Sequence, residues 1–209
     1  MNRPVFRRQG ILFVISAPSG TGKTTLCENL RATPDFIYSV SCTTRPPRSG
    51  EVDGTDYHFL SQEDFQNRVR KGEMLEYALV HGNYYGTLKA TVKEALTHGT
   101  DVLLDIDVQG ASTIRKTDDV MVRDSLVDVF IMPPTLEELE KRLRKRGSET
   151  EEQVQQRLAT GREESKLWPL YKYTILSGSM EEDLIKFRAI MRAERYLSRR
   201  LEINDVPHA

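Results

Sequence analysis

Apolar residues in this chain gather into a few short unbroken runs, and the longer stretches between them repeat apolar residues at helical spacing. Ile11 to Ser16, "DVLLDID" (101 to 107), "LVDVFIM" (126 to 132) and "YTILS" (173 to 177) have the continuity of strands buried on both faces. "TTLCENLRA", after the first run, places Leu26 and Leu30 on one helical face. Thr135 with Glu138 forms a capping box ahead of Leu136, Leu139 and Leu143, Gly147 ends that helix, and Thr150 with Gln153 opens another. "EEDLIKFRAIMRAERYLSRR" reads as a long amphipathic helix with a basic end. Four buried-strand runs alternating with helices predict a doubly wound α/β fold with a parallel sheet. Ser41 to Gly86 differs: short alternating segments, "YHFL" and "MLEYALVH", flank a helix near Gln62 to Lys71, which predicts a small inserted β-rich lobe. The expected organisation is a core (9–40, 88–133, 168–189), an inserted lobe (41–87), a helical lid (134–167) and a C-terminal helical extension (190–209). No repeats or low-complexity tracts interrupt it.

Composition narrows the partners. With 209 residues the chain can bury one sizeable core, and a formal net charge of −1 argues against general affinity for nucleic acid or an anionic membrane. Small-molecule partners become the expectation, with a homo-oligomer left open. Cys27 and Cys42 lack CxxC spacing and nearby histidine pairs, which speaks against a disulfide framework or zinc site and fits a reducing cytoplasm. The basic "FRRQG" (6 to 10) leads into a short apolar run and a glycine loop, so neither a signal peptide nor a membrane span is expected.

The loop carries the chemistry. "SAPSGTGKTT" (16 to 25) sits between an apolar strand and a helix, as a phosphate-binding loop does. Backbone N–H groups from Gly20 to Thr24, with the helix N-terminus, would form a concave positive field for the phosphates of a nucleotide. Lys23 would reach the β- and γ-oxygens, and the Thr24 hydroxyl would lie on Mg²⁺. An ordinary turn needs glycines for positive φ but not Lys-Thr after them. Ala17 stands where the motif begins with glycine, tolerable if φ there stays negative. Asp105, ending "VLLD", would be delivered beside the loop to hold a Mg²⁺-bound water, unless it is simply a solvated strand end.

Three further stretches, "SVSCTTRPPRSGEVDGTDYHF" (39 to 59), "EYALVHGNYYGT" (76 to 87) and "LLDIDVQG" (103 to 110), together with "SGTGKTT", resemble guanylate kinases in order, spacing and residue identity. The resemblance runs from about Gly10 to the C-terminal helix. It implies a phosphate-loop core with a GMP-binding lobe and a mobile lid, and the reaction ATP + GMP = ADP + GDP with Mg²⁺. It implies ATP on Ala17, Pro18, Ser19, Gly20, Thr21, Gly22, Lys23, Thr24 and Thr25, and the GMP phosphate on Arg45, Arg48, Tyr57 and Tyr85. Ser41 and Glu76 would face guanine, with Thr87 and Asp107 beside it. Lys23, Arg142, Arg146 and Arg157 would act on the transferring group, and Thr24 with Asp105, through water, on the metal. Ser177-Gly178-Ser179 replaces the family's usual Asn-Asp, which leaves the adenine contact undefined.

Physical chemistry supports these roles independently. Bringing two phosphates together requires planar, permanently charged guanidinium forks, and phosphoryl transfer needs positioning more than a nucleophilic side chain. Arg144, Arg199 and Arg200 are expected on solvated helical faces. His58, His81, His98 and His208 are expected to be surface or strand residues, and Tyr84 to belong to the lobe's core, a place that Tyr85 could equally take. Glu76 could equally face solvent on an alternating strand. A protein-interaction module resembling guanylate kinase is the rival class. Such modules typically lose loop or lid chemistry, whereas Lys23, Thr24, Asp105, Arg142 and Arg146 are all present. A kinase of another monophosphate is disfavoured by Ser41 and Glu76, which suit guanine.

Overall fold

A computed structural model describes residues 5–18, 21–33, 35–80, 82–145 and 150–204. Its centre is a five-stranded parallel sheet in the order β10-β9-β2-β8-β3. The strands are β2 (Leu12–Ser16), β3 (Ile37–Tyr38), β8 (Val102–Asp105), β9 (Leu126–Met132) and β10 (Tyr173–Leu176). Four match the apolar runs; β3, only two residues long at the sheet edge, had no run to announce it.

Alternation along β2 explains both layers. Phe13 and Ile15 face α1 (Lys23–Arg31) and α8 (Met180–Arg195), packing with Leu26, Leu30, Phe187 and Met191. Leu12 and Val14 face α3 (Lys89–Thr97), α4 (Val108–Arg115) and α5 (Val120–Ser125), packing with Val92, Leu96, Ala111, Ile114 and Val122. A strand with both faces covered is apolar at most positions, and the carboxylate that intrudes on β9, Asp128, is buried against Arg115 at 2.7 Å. From β2 the chain passes through α1 to β3 and β8 on one side, then crosses to β9 and β10 on the other. The carboxyl ends of neighbouring β2 and β8 therefore open onto a crevice, the place where open α/β sheets bind ligands.

The stretch after β3 folds as a four-stranded sheet, β5-β4-β7-β6, of β4 (Cys42–Thr43), β5 (His58–Phe59), β6 (Met74–Val80) and β7 (Asn83–Leu88). Beside it lies α2 (Gln62–Arg70), whose Phe65 is fully buried and stacks on Tyr84 at 5.3 Å between ring centroids. The 134–167 segment gives α6 (Leu136–Lys145) and α7 (Glu151–Ser165). Thr135 caps the first by accepting from Glu138 N at 3.1 Å, and Thr150 with Gln153 forms the capping box of the second. The two helices hold one another through Leu139, Leu143, Val154 and Leu158. The residues after Lys145 where Gly147 should end α6 lie outside the described ones, as do His81 and His208.

The C-terminal expectation needs correction. Helix α8 stops at Arg195, and β11 (Leu201–Asn204) pairs antiparallel with β1 (Val5–Arg8) instead of continuing the helix. Buried charge explains the turn. Glu194 accepts from Lys172 Nζ at 2.6 Å, Tyr173 Oη at 2.7 Å and Arg200 Nη2 at 3.2 Å, and Arg200 also donates to the Asp124 carbonyl at 3.1 Å. Arg200, expected on a solvated face, is 3% exposed, and drawing it back onto Glu194 folds the chain off the helix axis. Arg144 and Arg199 are exposed as expected. Among the described residues no helix is long and apolar enough to cross a membrane.

Candidate functional site

Helix α1 begins at the crevice floor. Gly22 caps it at φ +99°, a left-handed conformation glycine adopts without a Cβ penalty. Thr21 folds back on Pro18, its N–H and hydroxyl donating to the Pro18 carbonyl at 3.2 and 2.7 Å. Lys23 follows at the first helical position, and its ammonium donates to the Asp105 carboxylate and to the Ile106 carbonyl at 3.3 Å. Burial is the largest influence and lowers the lysine pKa, but the charge and hydrogen bond of Asp105, together with Cys27 and Asp107 nearby, outweigh it in sum, so the ammonium is held above its ordinary value. The pairing is a direct product of register: Ile15 of β2 lies opposite Asp105 of β8.

One hollow, of 510 Å³, opens between the core and the four-stranded sheet. Lys23, Thr24 and Asp105 lie at its core side, and Ser41, Arg45, Arg48, Tyr57, Tyr85 and Glu76 on the lobe side. Arg45 Nη2 donates to Glu51 Oε1 at 2.8 Å, while the Arg48 N–H donates to Glu51 Oε2 at 2.6 Å. The Arg45 guanidinium, with the Arg48 N–H, holds the Glu51 carboxyl below its usual pKa. Tyr57 packs edge-on to Tyr85 at 6.0 Å, with the Arg45 guanidinium 5.5 Å from the Tyr57 ring centroid. Basic and phenolic groups thus surround one end of the hollow.

A buried carboxylate marks the other end. Glu76, 4% exposed, accepts from the Thr87 hydroxyl at 2.7 Å through Oε1. Burial, reinforced by the Asp107 charge and opposed by Thr87, pushes its pKa up to about 7. Asp107 lines the same hollow and caps α4, accepting from Gly110 N at 2.8 Å.

A second hollow, of 210 Å³, lies across the loop and is lined by Thr21, Gly22, Thr25, Leu26, Ile131, Arg142, Ser177, Gly178, Met180 and Asp183. Arg142 of α6 reaches it, donating from Nη1 to the Thr21 carbonyl at 2.9 Å and to Ser177 Oγ at 3.5 Å. Asp183, 4% exposed, accepts from Ser177 Oγ and Gly178 N, each at 2.9 Å.

The guanylate kinase family model matches residues 9–194. The chain belongs to the guanylate kinase family. A guanylate kinase of Maricaulis maris is 46% identical over 195 residues, covering 92% of this chain and 88% of the relative. One of Clostridium perfringens is 43% identical over 98% of this chain and 93% of the relative. The crystal structure of guanylate kinase from Anaplasma phagocytophilum superposes with a TM-score of 0.74 at 33% identity, covering 94% of this chain and 92% of that one. The chain is therefore a kinase built on a phosphate-loop α/β core with a lid.

With the guanylate kinase frame in place, the expected residues can be located. Ser41, Arg45, Arg48, Tyr57, Glu76, Tyr85 and Asp107 share the larger hollow with Lys23, Thr24 and Asp105. Thr87 is fully buried behind it and meets the hollow through Glu76. Glu76 itself is buried, against the solvent-facing alternative. Of the lid arginines, Arg142 reaches the loop, Arg157 lies on α7, and Arg146 falls outside the described residues, as do Ser19 and Gly20. Glu51 was not anticipated. Its signal was present, the first acid after the two arginines, three residues beyond Arg48. Nor was the Ser177–Asp183 pair, which lies where the family's Asn-Asp was missing.

Proposed function

We propose that the larger hollow seats GMP, its phosphate among Arg45, Arg48, Tyr57 and Tyr85 and its base against Ser41 and Glu76, with Thr87 and Asp107 behind. The reaction is ATP-dependent phosphorylation of GMP to GDP. A GMP phosphate oxygen attacks the γ-phosphorus, the bond to the β,γ-bridging oxygen breaks, and ADP leaves. Residues 17 to 25 cradle the ATP phosphates, and the ATP base lies in the smaller hollow beside Ser177 and Gly178. Lys23 neutralises charge on the transferring group, helped by Arg142, Arg146 and Arg157. Glu51 keeps Arg45 paired before the phosphate arrives, because a part-buried guanidinium without a partner is costly.

Thr24 and Asp105 suit Mg²⁺, a hard ion that takes one or two protein oxygens, several waters and the nucleotide's phosphates. Among the described residues no group of three His, Cys, Asp or Glu is placed to hold a metal ion. When bound it would supply charge neutralisation at the phosphates.

The observation that carries the acceptor assignment is Glu76: a buried carboxylate in the same hollow as the arginines. Guanine offers N1–H and the N2 amino group side by side, two donors for one carboxylate, whereas adenine turns a lone pair at N1 towards it. A site leaving buried polar groups unpaired rejects the wrong base by roughly 10⁴. Coupled measurement of ADP formation with GMP, AMP, CMP and UMP in parallel is expected to show turnover with GMP at least a thousandfold above the others on kcat/KM. Comparable turnover of AMP would overturn the reading.

A further inference from the structure

Gly110 occupies the first turn of α4, three residues after the cap Asp107. Glycine is the poorest helix former after proline, and its backbone here is not in the left-handed region, so conformation does not require it. Space does. A Cβ at this position would lie 2.5 Å from Glu76 Oε2, 3.1 Å from Glu76 Cδ and 3.3 Å from Ile106 Cδ1. The carboxylate cannot swing aside freely, since Oε1 is held by Thr87 at 2.7 Å and the residue is 4% exposed. The Gly110 N–H meanwhile donates to Asp107 Oδ1 at 2.8 Å.

We infer that Gly110 is a positioning residue for base selection: its bare Cα is the wall against which Glu76 Oε2 rests, and a side chain there would turn the carboxylate away from the guanine edge. The inference deepens the acceptor assignment and rests on Glu76 reading the base. Each carboxylate oxygen accepts two hydrogen bonds, so Oε1 can serve Thr87 and the substrate together while Oε2 takes the second donor. Both oxygens must then lie in the plane of the base. Ordinary contact with a methyl at 110 would push Oε2 by about 1 Å, a displacement on the scale that costs up to about a hundredfold in reactivity.

The test uses four full-length proteins: wild type, Gly110→Ala, Glu76→Ala and the double variant. Gly110→Ala is expected to lower kcat/KM for GMP at least about tenfold, mainly through KM, with KM for ATP within about twofold and the GMP/AMP ratio compressed. In the Glu76→Ala background, where the clashing group is gone, the same change should cost less than about threefold. An equal loss in both backgrounds, or an unchanged KM for GMP in Gly110→Ala, overturns the inference. If Gly110→Ala fails to fold, a folded double variant supports it and an unfolded one overturns it. Glu76→Ala separates the two ideas. An unchanged GMP/AMP ratio there removes the base-reading role and this inference with it, whereas a changed ratio beside a neutral Gly110→Ala removes the inference alone.

Discussion

On one side of Lys23 a 510 Å³ hollow presents a buried carboxylate held on one oxygen, and on the other a 210 Å³ hollow presents a buried carboxylate already bonded on both. Among the described residues Glu76 is held by Thr87 alone, and its pKa is raised; Asp183 receives Ser177 Oγ on one oxygen and Gly178 N on the other. A carboxylate left short of donors demands them from its ligand, and a satisfied one demands little. The acceptor side should therefore be strict about its base and the donor side permissive, although the hollows flank the same loop.

The most severe way to break this comparison is to remove what both sides share. Lys23→Ala should lower kcat by about a thousandfold or more with either nucleotide pair, since a preorganised charge on the transferring group contributes on that scale. The melting temperature should fall by a few degrees while the protein stays folded, because Asp105, part-buried, loses its ion-pair partner. An alanine variant with near-wild-type turnover would sink the assignment of Lys23.

How much of this was legible in sequence depended on whether a residue's partners were close in the chain. The core strands β2, β8, β9 and β10 declared themselves because burial favours apolar residues at most of their positions, Asp128 of β9 being held by Arg115. The loop did so because its chemistry sits in nine consecutive residues, 17 to 25. Strand β3 is too short to carry a pattern, and β1 with β11 mix charged or polar residues with apolar ones and carry no unbroken apolar run. In the site, Arg45 and Arg48 were readable through neighbouring motif residues, and Glu51 was passed over because its acid is defined only by what it pairs with. Gly110 was invisible for a stronger reason: its value lies in contact with Glu76, which only the packing of α4 against β6 creates. Arg200 misled because a helical surface and a buried clamp read alike until Glu194 is seen to be buried.

A sharper test of the acceptor side uses pH. In the folded protein Glu76 holds its proton up to about pH 7, whereas the unfolded chain loses it near its ordinary value of 4.5. The native state therefore binds the extra proton between those values, so this group's contribution to stability falls as pH rises through that window and is flat above it. Glu76→Gln removes the buried charge and should be more stable than wild type at pH 8 by about 3 kcal/mol, with the difference vanishing near pH 4. Under the proposed assignment binding has the opposite sign, because the two donors of guanine require an ionised acceptor. Wild-type kcat/KM for GMP should decline by about tenfold per unit below pH 7, and the variant, lower by at least about tenfold at pH 8, should lack that acid limb. Asp107 and Thr87 face the same carboxylate and are unchanged in the variant, so the comparison isolates Glu76. Denaturant unfolding and initial rates across pH 5 to 8 check both signs. A variant less stable than wild type at pH 8 would contradict the buried charge.

The smallest expected effect lies on the donor side. Ser177→Ala removes the hydroxyl that donates to Asp183 Oδ2 at 2.9 Å and leaves Gly178 N on the other oxygen. One hydrogen bond to a buried carboxylate is lost, so the folded protein should lose about 1 to 2 kcal/mol of stability. Arg142 keeps its 2.9 Å bond to the Thr21 carbonyl, a contact through backbone that the substitution does not touch, so the lid arginine stays over the loop. The apolar floor of Leu26, Ile131 and Met180 is likewise intact, and it can receive either purine by stacking and burial alone. KM for ATP should therefore rise by less than about threefold, and the ratio of kcat/KM for ATP and GTP as donors should shift by less than that. Steady-state rates with each donor at saturating GMP provide the measurement. A shift of tenfold or more would mean that Ser177 reads the donor base directly, and the contrast between a demanding and a satisfied carboxylate would no longer explain why the two sides differ.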